Sequence, residues 1–315
     1  MSLKEIQTEL HSLYINRQLN DKKQAEKNLE YARSNKKFNK NYLKINELNY
    51  IIAKKKNDNQ DTSKEESELN QLNEDQQIIL KKIGLTPQNL QVNYLCKLCQ
   101  DSGFVKGVPC RCYKAELTKR LLKSNGIDYK NLKTFNDFDC SVASNDIQSS
   151  TLAKVKKIGE DFVKKFHQTK IETIYIHGAT GTGKTFLTEC IASALIRKYI
   201  YVNILSAFQM NNVFLNYHGS FEKDKSDILS ALLDPDLLII DDLGTEPMFK
   251  NVTREYISVV INERTLHHKK TIITSNLSPR DVLDRYGERI YSRLFSKNNS
   301  LQISLNGEDL RVKNI

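Results

Sequence analysis

The feature that most constrains this chain is a glycine-rich turn, HGATGTGKT, at residues 177–185. It follows a short apolar run at 174–176 and precedes FLTECIASALI, which has the pattern of a helix. The spacing G-x-x-x-x-G-K-[ST] between a strand and a helix predicts a loop whose backbone N–H groups surround phosphates. Glycine reaches the backbone angles that this requires, and the helix start adds its positive dipole end.

The loop also predicts individual roles for its side chains. Lys184 is expected to reach the β- and γ-phosphates of a nucleotide, and Thr185 is expected to ligate Mg²⁺. The other predicted nucleotide contacts lie in the loop or directly beside it: Gly178, Ala179, Thr180, Gly181, Thr182, Gly183 and Phe186.

Around this loop, β-rich runs alternate with helical stretches. The runs are TIYIH, YVNIL, LLIID, TIITSN and LQISL. Strands that alternate with helices indicate an α/β fold in which a mostly parallel sheet lies between helical layers. We therefore expect a three-layer α/β core with a five-stranded parallel sheet.

Two of these strands end in polar residues that suit a phosphate site. LLIIDDLG places Asp241 at the magnesium ion and Asp242 at the water that attacks the γ-phosphate. Asn276, at the end of TIITSN, can hydrogen-bond the γ-phosphate or that water. By itself such an Asn more often forms a turn.

The segment YGERIYSRLF (286–295) carries two arginines four residues apart, which share one face of a helix. Arg289 and Arg293 can stabilise the charge that develops during phosphoryl transfer. The alternative is a surface ion pair, with Glu288 nearby. Arg311 is a weaker candidate for sensing phosphate. No guanine-reading N-K-x-D motif accompanies the loop, which disfavours a GTPase. No signature of a small-substrate pocket follows Asp242, which weakens the case for a metabolite kinase.

The only closely spaced cysteines lie in CKLCQDSGFVKGVPCRC. Four thiolates in a C-x2-C and C-x-C pattern fit a tetrahedral zinc site, and the glycines and the proline between the pairs allow a short hairpin. A segment this short cannot build a hydrophobic core of its own. Metal binding would therefore supply its folding energy. An iron–sulfur cluster and free thiols remain alternatives. The expected ligands are Cys96, Cys99, Cys110 and Cys112.

The first 85 residues are rich in Lys, Glu, Gln, Asn and Leu, with apolar residues at helical spacing and a polar break at 54–66. They predict two or more amphipathic helices, either as a docking module or as a solvated arm. The expected organisation is a helical region at 1–90, a cysteine module with a linker helix at 91–125, and the α/β domain at 126–315.

The formal net charge of +10 fits either general solubility or contact with nucleic acid. No apolar run approaches the ~20 residues that cross a bilayer, and the N-terminus has no apolar secretion segment. We therefore expect a cytoplasmic protein without a membrane partner.

Taken in order and spacing, GATGTGKT, LLIIDDLG, TIITSN and GERIYSRL resemble the AAA+ ATPases of the bacterial replicative helicase loaders, the DnaC/DnaI type. The resemblance covers about 134–315, and TFNDFD resembles the segment that enters the ATPase core. The cysteine module resembles the zinc-binding module of some loaders. The N-terminal region matches only in its helical character.

The resemblance implies an ATPase that is slow and assembly-dependent, with ATP, Mg²⁺ and Zn²⁺ as cofactors and no full C-terminal lid. It implies a homo-oligomer in which Arg293, helped by Arg289, completes the site of a neighbour. It also implies that the helical region grips a DnaB-type helicase and that the core holds single-stranded DNA, with Phe208, Phe214 and Tyr217 as candidate contacts. The alternatives are a transposition helper of the IstB type and a nucleotide-dependent adaptor with little hydrolysis.

Overall fold

The structure is a computed structural model that describes residues 3–143, 145–220 and 222–311. The chain forms two compact units. One is His11–Cys110, and the other consists of the described residues on either side of that segment.

Helices make up most of the unit His11–Cys110. The helix α1 spans Leu3–Ser34 and therefore begins before this unit, α2 spans Lys36–Asn57 and α3 spans Ser63–Lys82. Asn35 starts α2, because its side-chain oxygen accepts hydrogen bonds from two backbone N–H groups of the first turn. The predicted amphipathic helices and the break near 54–66 are confirmed.

An apolar seam holds α2 and α3 together as a hairpin. Phe38 is fully buried, and Ile79 and Leu80 of α3 are buried in the same cluster. Lys55 and Glu65 form an ion pair at 2.6 Å beside the turn. This unit ends in a short antiparallel hairpin, with β1 at Phe104–Val105 and β2 at Val108–Pro109.

The second unit contains the α/β domain. Its elements in chain order are α4 (Arg111–Ser124), α5 (Asp146–Lys164), β3 (Thr173–His177), α6 (Lys184–Arg197), β4 (Val202–Ser206), α7 (Ala207–Gly219), α8 (Glu222–Leu233), β5 (Leu237–Leu243), α9 (Thr253–Leu266), β6 (Lys270–Ser275), α10 (Pro279–Tyr286), α11 (Glu288–Leu294) and β7 (Ser300–Ser304).

The strands form one five-stranded sheet in the order β4-β5-β6-β3-β7, and all neighbouring strands are parallel. Successive residues alternate between its faces. Ile174 and Ile176 of β3 pack in one apolar cluster with α5 and α6, whereas Tyr175 packs in the other with α7, α9, α10 and α11. This confirms the predicted three-layer α/β core.

The strand order decides where a site can form. Because β6 lies between β3 and β5, the loops that follow these three strands meet at one edge of the sheet. Ligands of open α/β sheets bind at this carboxyl edge. Among the described residues, no helix is both long enough and apolar enough to cross a membrane.

Candidate nucleotide-binding site

The glycine-rich loop connects β3 to the start of α6, as the sequence predicts. Gly183 precedes α6 with φ of +94°, in the left-handed region that favours glycine. Gly178 has φ of +153°, and a Cβ atom there would lie 2.0 Å from the carbonyl oxygen of Leu305. Glycine is therefore favoured at 178 by close packing against backbone and at 183 by the left-handed conformation.

Lys184 is the first residue of α6, and its side chain is buried. Its Nζ atom donates to the carbonyl oxygens of Gly178 at 2.8 Å and Ala179 at 2.7 Å, and to Oδ1 of Asn276 at 2.8 Å. Burial lowers the pKa of the ammonium group, and the nearby Asp242 and Asp241 act in the opposite direction. Lys184 and Asn276, which are 92 residues apart, are thus brought together.

Asp241 lies beside Thr185 at the end of β5. The Thr185 hydroxyl is 3.2 Å from both carboxylate oxygens, and the Thr274 hydroxyl donates to Oδ1 of Asp241 at 2.5 Å. A hydroxyl and a carboxylate are the oxygen ligands that Mg²⁺ prefers beside nucleotide phosphates. The residues present therefore fit the predicted magnesium site.

A cavity lies beside the glycine-rich loop and is called the nucleotide cavity below. Asp242 lines this cavity, whereas Asp241 does not. The backbone of Asp242 has φ of +56°, and the N–H of Asp242 donates to the Thr274 hydroxyl at 2.9 Å. Burial raises the pKa of its carboxyl group, the adjacent Asp241 raises it further, and Lys184 opposes both effects. A carboxylate with a raised pKa that lines the same cavity as Lys184 is suited to orienting and polarising a water molecule.

The cavity has a volume of about 460 Å³. One part is formed by the loop, Lys184, Thr185, Asp242 and Asn276. The remaining lining is mostly apolar, a character that suits contact with a nucleobase, and it also includes Asp137 and Asp139. Its apolar lining is Phe138, Val142, Leu152, Phe186 and Leu310.

The sequence pattern indicated Phe186 but missed Leu152, Val142 and Leu310 as cavity residues. They come from three separate segments that only the tertiary fold brings together. Arg311 also lines the cavity, and its guanidinium donates to both carboxylate oxygens of Asp309, at 3.0 and 2.8 Å. Asp309 in turn lies directly against Gly181 of the loop.

Arg289 and Arg293 are both exposed on α11, and neither lines the nucleotide cavity. Within the described ranges, neither side chain forms an ion pair, so the surface pair with Glu288 is not seen. The two arginines are therefore available to a group outside their own cavity.

The segment after β4 does not provide all the DNA contacts that the family resemblance implied. Phe214 is fully buried in the core, so its assignment as a stacking residue is wrong. Tyr217 packs edge-on against Tyr256 with ring centroids 5.1 Å apart. Phe208 is 55% exposed and remains open to a partner.

The sulfur atoms of Cys96, Cys99, Cys110 and Cys112 all lie within 4.8 Å of one another. Four zinc–sulfur bonds of ~2.3 Å in a tetrahedron place the sulfurs about 3.8 Å apart, and Cys96 and Cys110 are separated by 3.9 Å. The buried Asp101 carboxylate accepts from the N–H groups of Leu95 and Cys96. The four thiols are compatible with the predicted zinc ion.

A family model described as IstB-like ATP binding protein matches residues 116–314. A "Replicative helicase loader DnaC" from Buchnera aphidicola subsp. Baizongia pistaciae is 28% identical over 207 residues, 64% of this chain and 78% of the relative. The "Replicative helicase loader DnaI" of Bacillus subtilis is 28% identical over 123 residues, 39% of each chain.

Solved structures give similar matches. The one titled "Crystal structure of the DnaC helicase loader" is 24% identical, with a TM-score of 0.45 over 56% of this chain and 98% of that chain. The one titled "Crystal Structure of the DnaI" is 21% identical, with a TM-score of 0.45 over 57% of this chain and 90% of that chain.

Proposed function

The chain belongs to the family of IstB-like ATP binding proteins, and on that basis we propose that it is an ATP-dependent loader of a DnaB-type replicative helicase onto single-stranded DNA. The observation that carries the proposal is the separation of two halves of a hydrolytic site. Lys184, Thr185, Asp241 and Asp242 meet around the phosphate loop, whereas Arg293 is exposed on α11 outside that cavity. The relatives that are named as helicase loaders supply the partner.

The chemistry follows from the roles of these residues. When bound, ATP supplies the phosphoryl group and Mg²⁺ neutralises its developing charge. Lys184 and the loop N–H groups bind the phosphates, Thr185 and Asp241 hold the metal, and Asp242 orients the attacking water with help from Asn276. Arg293 of one subunit, with Arg289 beside it, completes the site of its neighbour, so hydrolysis is slow until subunits assemble.

Each region has its own part in this proposal. Residues 1–90 bind the helicase, residues 91–125 hold zinc, and the AAA+ domain at 126–315 binds ATP and single-stranded DNA in the cytoplasm. A transposition helper of the IstB type is the second candidate, because that description is the one that matches the family model. The relatives named as loaders and the cysteine cluster favour the first.

The proposal is tested by mixing the chain with its host's replicative helicase and following complex formation by size-exclusion chromatography. We expect the two proteins to co-elute in the presence of ATP. If no complex forms with or without ATP, the loader function is refuted.

A second step locates the helicase contact. Deleting the N-terminal region is unsuitable, because Ile6 and Leu10 are fully buried and belong to the ATPase unit. Leu43 and Tyr50 of α2 are 55% and 72% exposed and lie seven residues apart on one helix face. The double variant Leu43→Glu/Tyr50→Glu should lose the complex, whereas the control Leu266→Glu, 66% exposed in the ATPase unit, should keep it. A complex that survives the double variant contradicts helicase binding by this face of α2.

A further inference from the structure

Glu246 is a buried acidic residue four positions after Asp242. It is 1% exposed and does not line the nucleotide cavity. Its Oε2 atom accepts from the N–H of Gly244 at 2.8 Å, and its Oε1 atom accepts from the hydroxyl of Tyr286. Burying an acidic side chain is costly, so a fold retains it only with such partners.

Each partner of Glu246 lies in a segment that leads to part of the catalytic machinery. Gly244 directly follows β5, two residues after Asp242. Tyr286 is the last residue of α10, and Gly287 follows it as the residue that both ends α10 and starts α11. Only two residues separate Tyr286 from Arg289.

A second link joins the same two segments. The guanidinium of Arg285 donates to the carbonyl oxygen of Glu246 at 2.7 Å and lies 3.7 Å from its carboxylate. Tyr286 is 3% exposed, and its ring packs in the apolar cluster that also buries Ile290 and Leu294 of α11. Burial and the hydrogen bond to Glu246 raise the pKa of the Tyr286 hydroxyl, which keeps it protonated as a donor.

We propose that Glu246, through Tyr286, is a positioning residue that sets the orientation of α11, the helix that carries Arg289 and Arg293. The orientation would follow the conformation of residues 242–246 in the same subunit. The inference rests on the proposed function, because it assigns Arg289 and Arg293 to a neighbour's nucleotide. Residues 242–246 connect the carboxylate of Asp242 to the hydrogen bond between Glu246 and Tyr286. A shift of Asp242 when phosphate is bound or released is therefore transmitted to α11 and reaches the neighbouring site.

Tyr286→Phe is the sharpest test, because it removes one hydroxyl and leaves a buried ring. Tyr201→Phe is the matched control: Tyr201 is also buried, and its hydroxyl has no hydrogen-bond partner among the residues that the structure describes. ATP turnover per chain is measured against protein concentration, together with nucleotide affinity at low concentration. We expect Tyr286→Phe to lose the concentration-dependent rise in turnover by about tenfold, with nucleotide affinity and KM unchanged, because arginines in trans carry large rate effects.

A mixing experiment separates positioning from damage to the variant's own site. Asn276→Ala chains are expected to hydrolyse ATP slowly, but they keep Asp242, the hydrogen bond between Glu246 and Tyr286, and both arginines. In mixed assemblies these arginines complete the sites of Tyr286→Phe chains, so the mixture should recover turnover that neither variant has alone. Failure to recover activity overturns the inference, since it places the defect in the variant's own nucleotide site.

The remaining outcomes are distinguishable from failure of the proposed function. If wild-type turnover does not depend on concentration, or if Arg293→Ala turns over like wild type, the proposed site in trans is wrong and the inference falls with it. If turnover is reduced in Arg293→Ala but is the same in Tyr286→Phe, Tyr201→Phe and the wild type, only the positioning role of the hydrogen bond between Glu246 and Tyr286 is refuted. Glu246→Gln, which keeps the shape of the side chain, should follow Tyr286→Phe and provides a second reading.

Discussion

The Nζ atom of Lys184 donates a hydrogen bond to Oδ1 of Asn276, at 2.8 Å. In this arrangement the ammonium group of Lys184 donates its three hydrogen bonds to Asn276 and to two carbonyl oxygens of its own loop. We propose that a bound γ-phosphate competes for the same donors and frees the amide of Asn276 for the phosphate or the attacking water, which would connect binding to hydrolysis.

Replacing Lys184 by Ala should abolish most nucleotide binding. A hydrogen bond to a charged group contributes about 1.5–3 kcal/mol, so we expect affinity to fall by on the order of 100-fold. Equilibrium titration with a fluorescent ATP analogue measures this loss. Lys198→Ala, directly after the C-terminal end of the same helix α6, is the control and should bind normally. An unchanged affinity for Lys184→Ala would contradict the phosphate-binding assignment.

Asn276→Ala should have a different effect, which separates the two residues. We expect turnover to fall by about 10²-fold, as for other hydrogen-bond donors that act on transition-state charge, while ATP affinity changes little. Steady-state kinetics and the same binding titration check both parts. A variant that weakens binding as much as Lys184→Ala would show that Asn276 acts in binding alone.

Asp242→Asn should remove hydrolysis and raise the stability of the nucleotide-free chain. The folded state raises the pKa of this carboxyl, which means that its ionised form is destabilised by burial and by Asp241. A neutral amide of the same shape avoids this cost, and Asn tolerates the left-handed backbone at this position. Thermal unfolding at neutral pH should show a higher Tm for the variant than for the wild type.

The sign of the pH dependence supplies the control for Asp242. A raised pKa makes the folded state take up a proton above the ordinary range of a carboxyl group, so the cost of the ionised form disappears as the pH falls through that pKa. The difference in Tm between Asp242→Asn and wild type should therefore shrink in acid. A difference that stays constant with pH would assign the effect to packing and not to ionisation.

The sequence predicted the α/β core and its strands because each carries a local signal. The glycine-rich loop and the pairs of residues at the strand ends have fixed positions relative to the sheet, so their meeting follows from parallel topology. Lys184, Thr185, Asp241, Asp242 and Asn276 all lie where this reasoning places them.

The remainder of the site depends on contacts between distant segments, which leave no periodic signal. Leu152 lies on one face of α5 and reads in the sequence as an ordinary core position, yet it lines the nucleotide cavity. Glu246 reads as a loop residue but is buried against Tyr286, 40 residues later. Phe214 shows the opposite error, because an aromatic residue on an amphipathic helix can face the core as readily as a partner.

Arg293→Ala should retain nucleotide binding and lose assembly-dependent turnover. The side chain is exposed outside its own cavity, so its removal leaves Lys184, Asp241 and Asp242 in place. Arginines that act in trans accelerate phosphoryl transfer by about 10³–10⁵, and we expect a loss of at least about 10². Turnover as a function of protein concentration provides the measurement. Arg289→Ala should show a smaller defect, and a full effect of Arg289 with none of Arg293 would exchange their roles.

The cysteine cluster should hold about one zinc ion per chain, as four thiolates in tetrahedral geometry do. Cys99→Ser should lose that ion and the hydrogen-exchange protection of residues 94–113, because metal binding supplies folding energy to a segment too small for a core of its own. Nucleotide affinity should not change, since none of the four cysteines lines the nucleotide cavity. Cys140→Ser, a half-buried cysteine outside the cluster, is the control and should retain zinc. Iron with visible absorbance in place of zinc would identify an iron–sulfur cluster, and full protection of residues 94–113 in metal-free protein would refute a structural metal site.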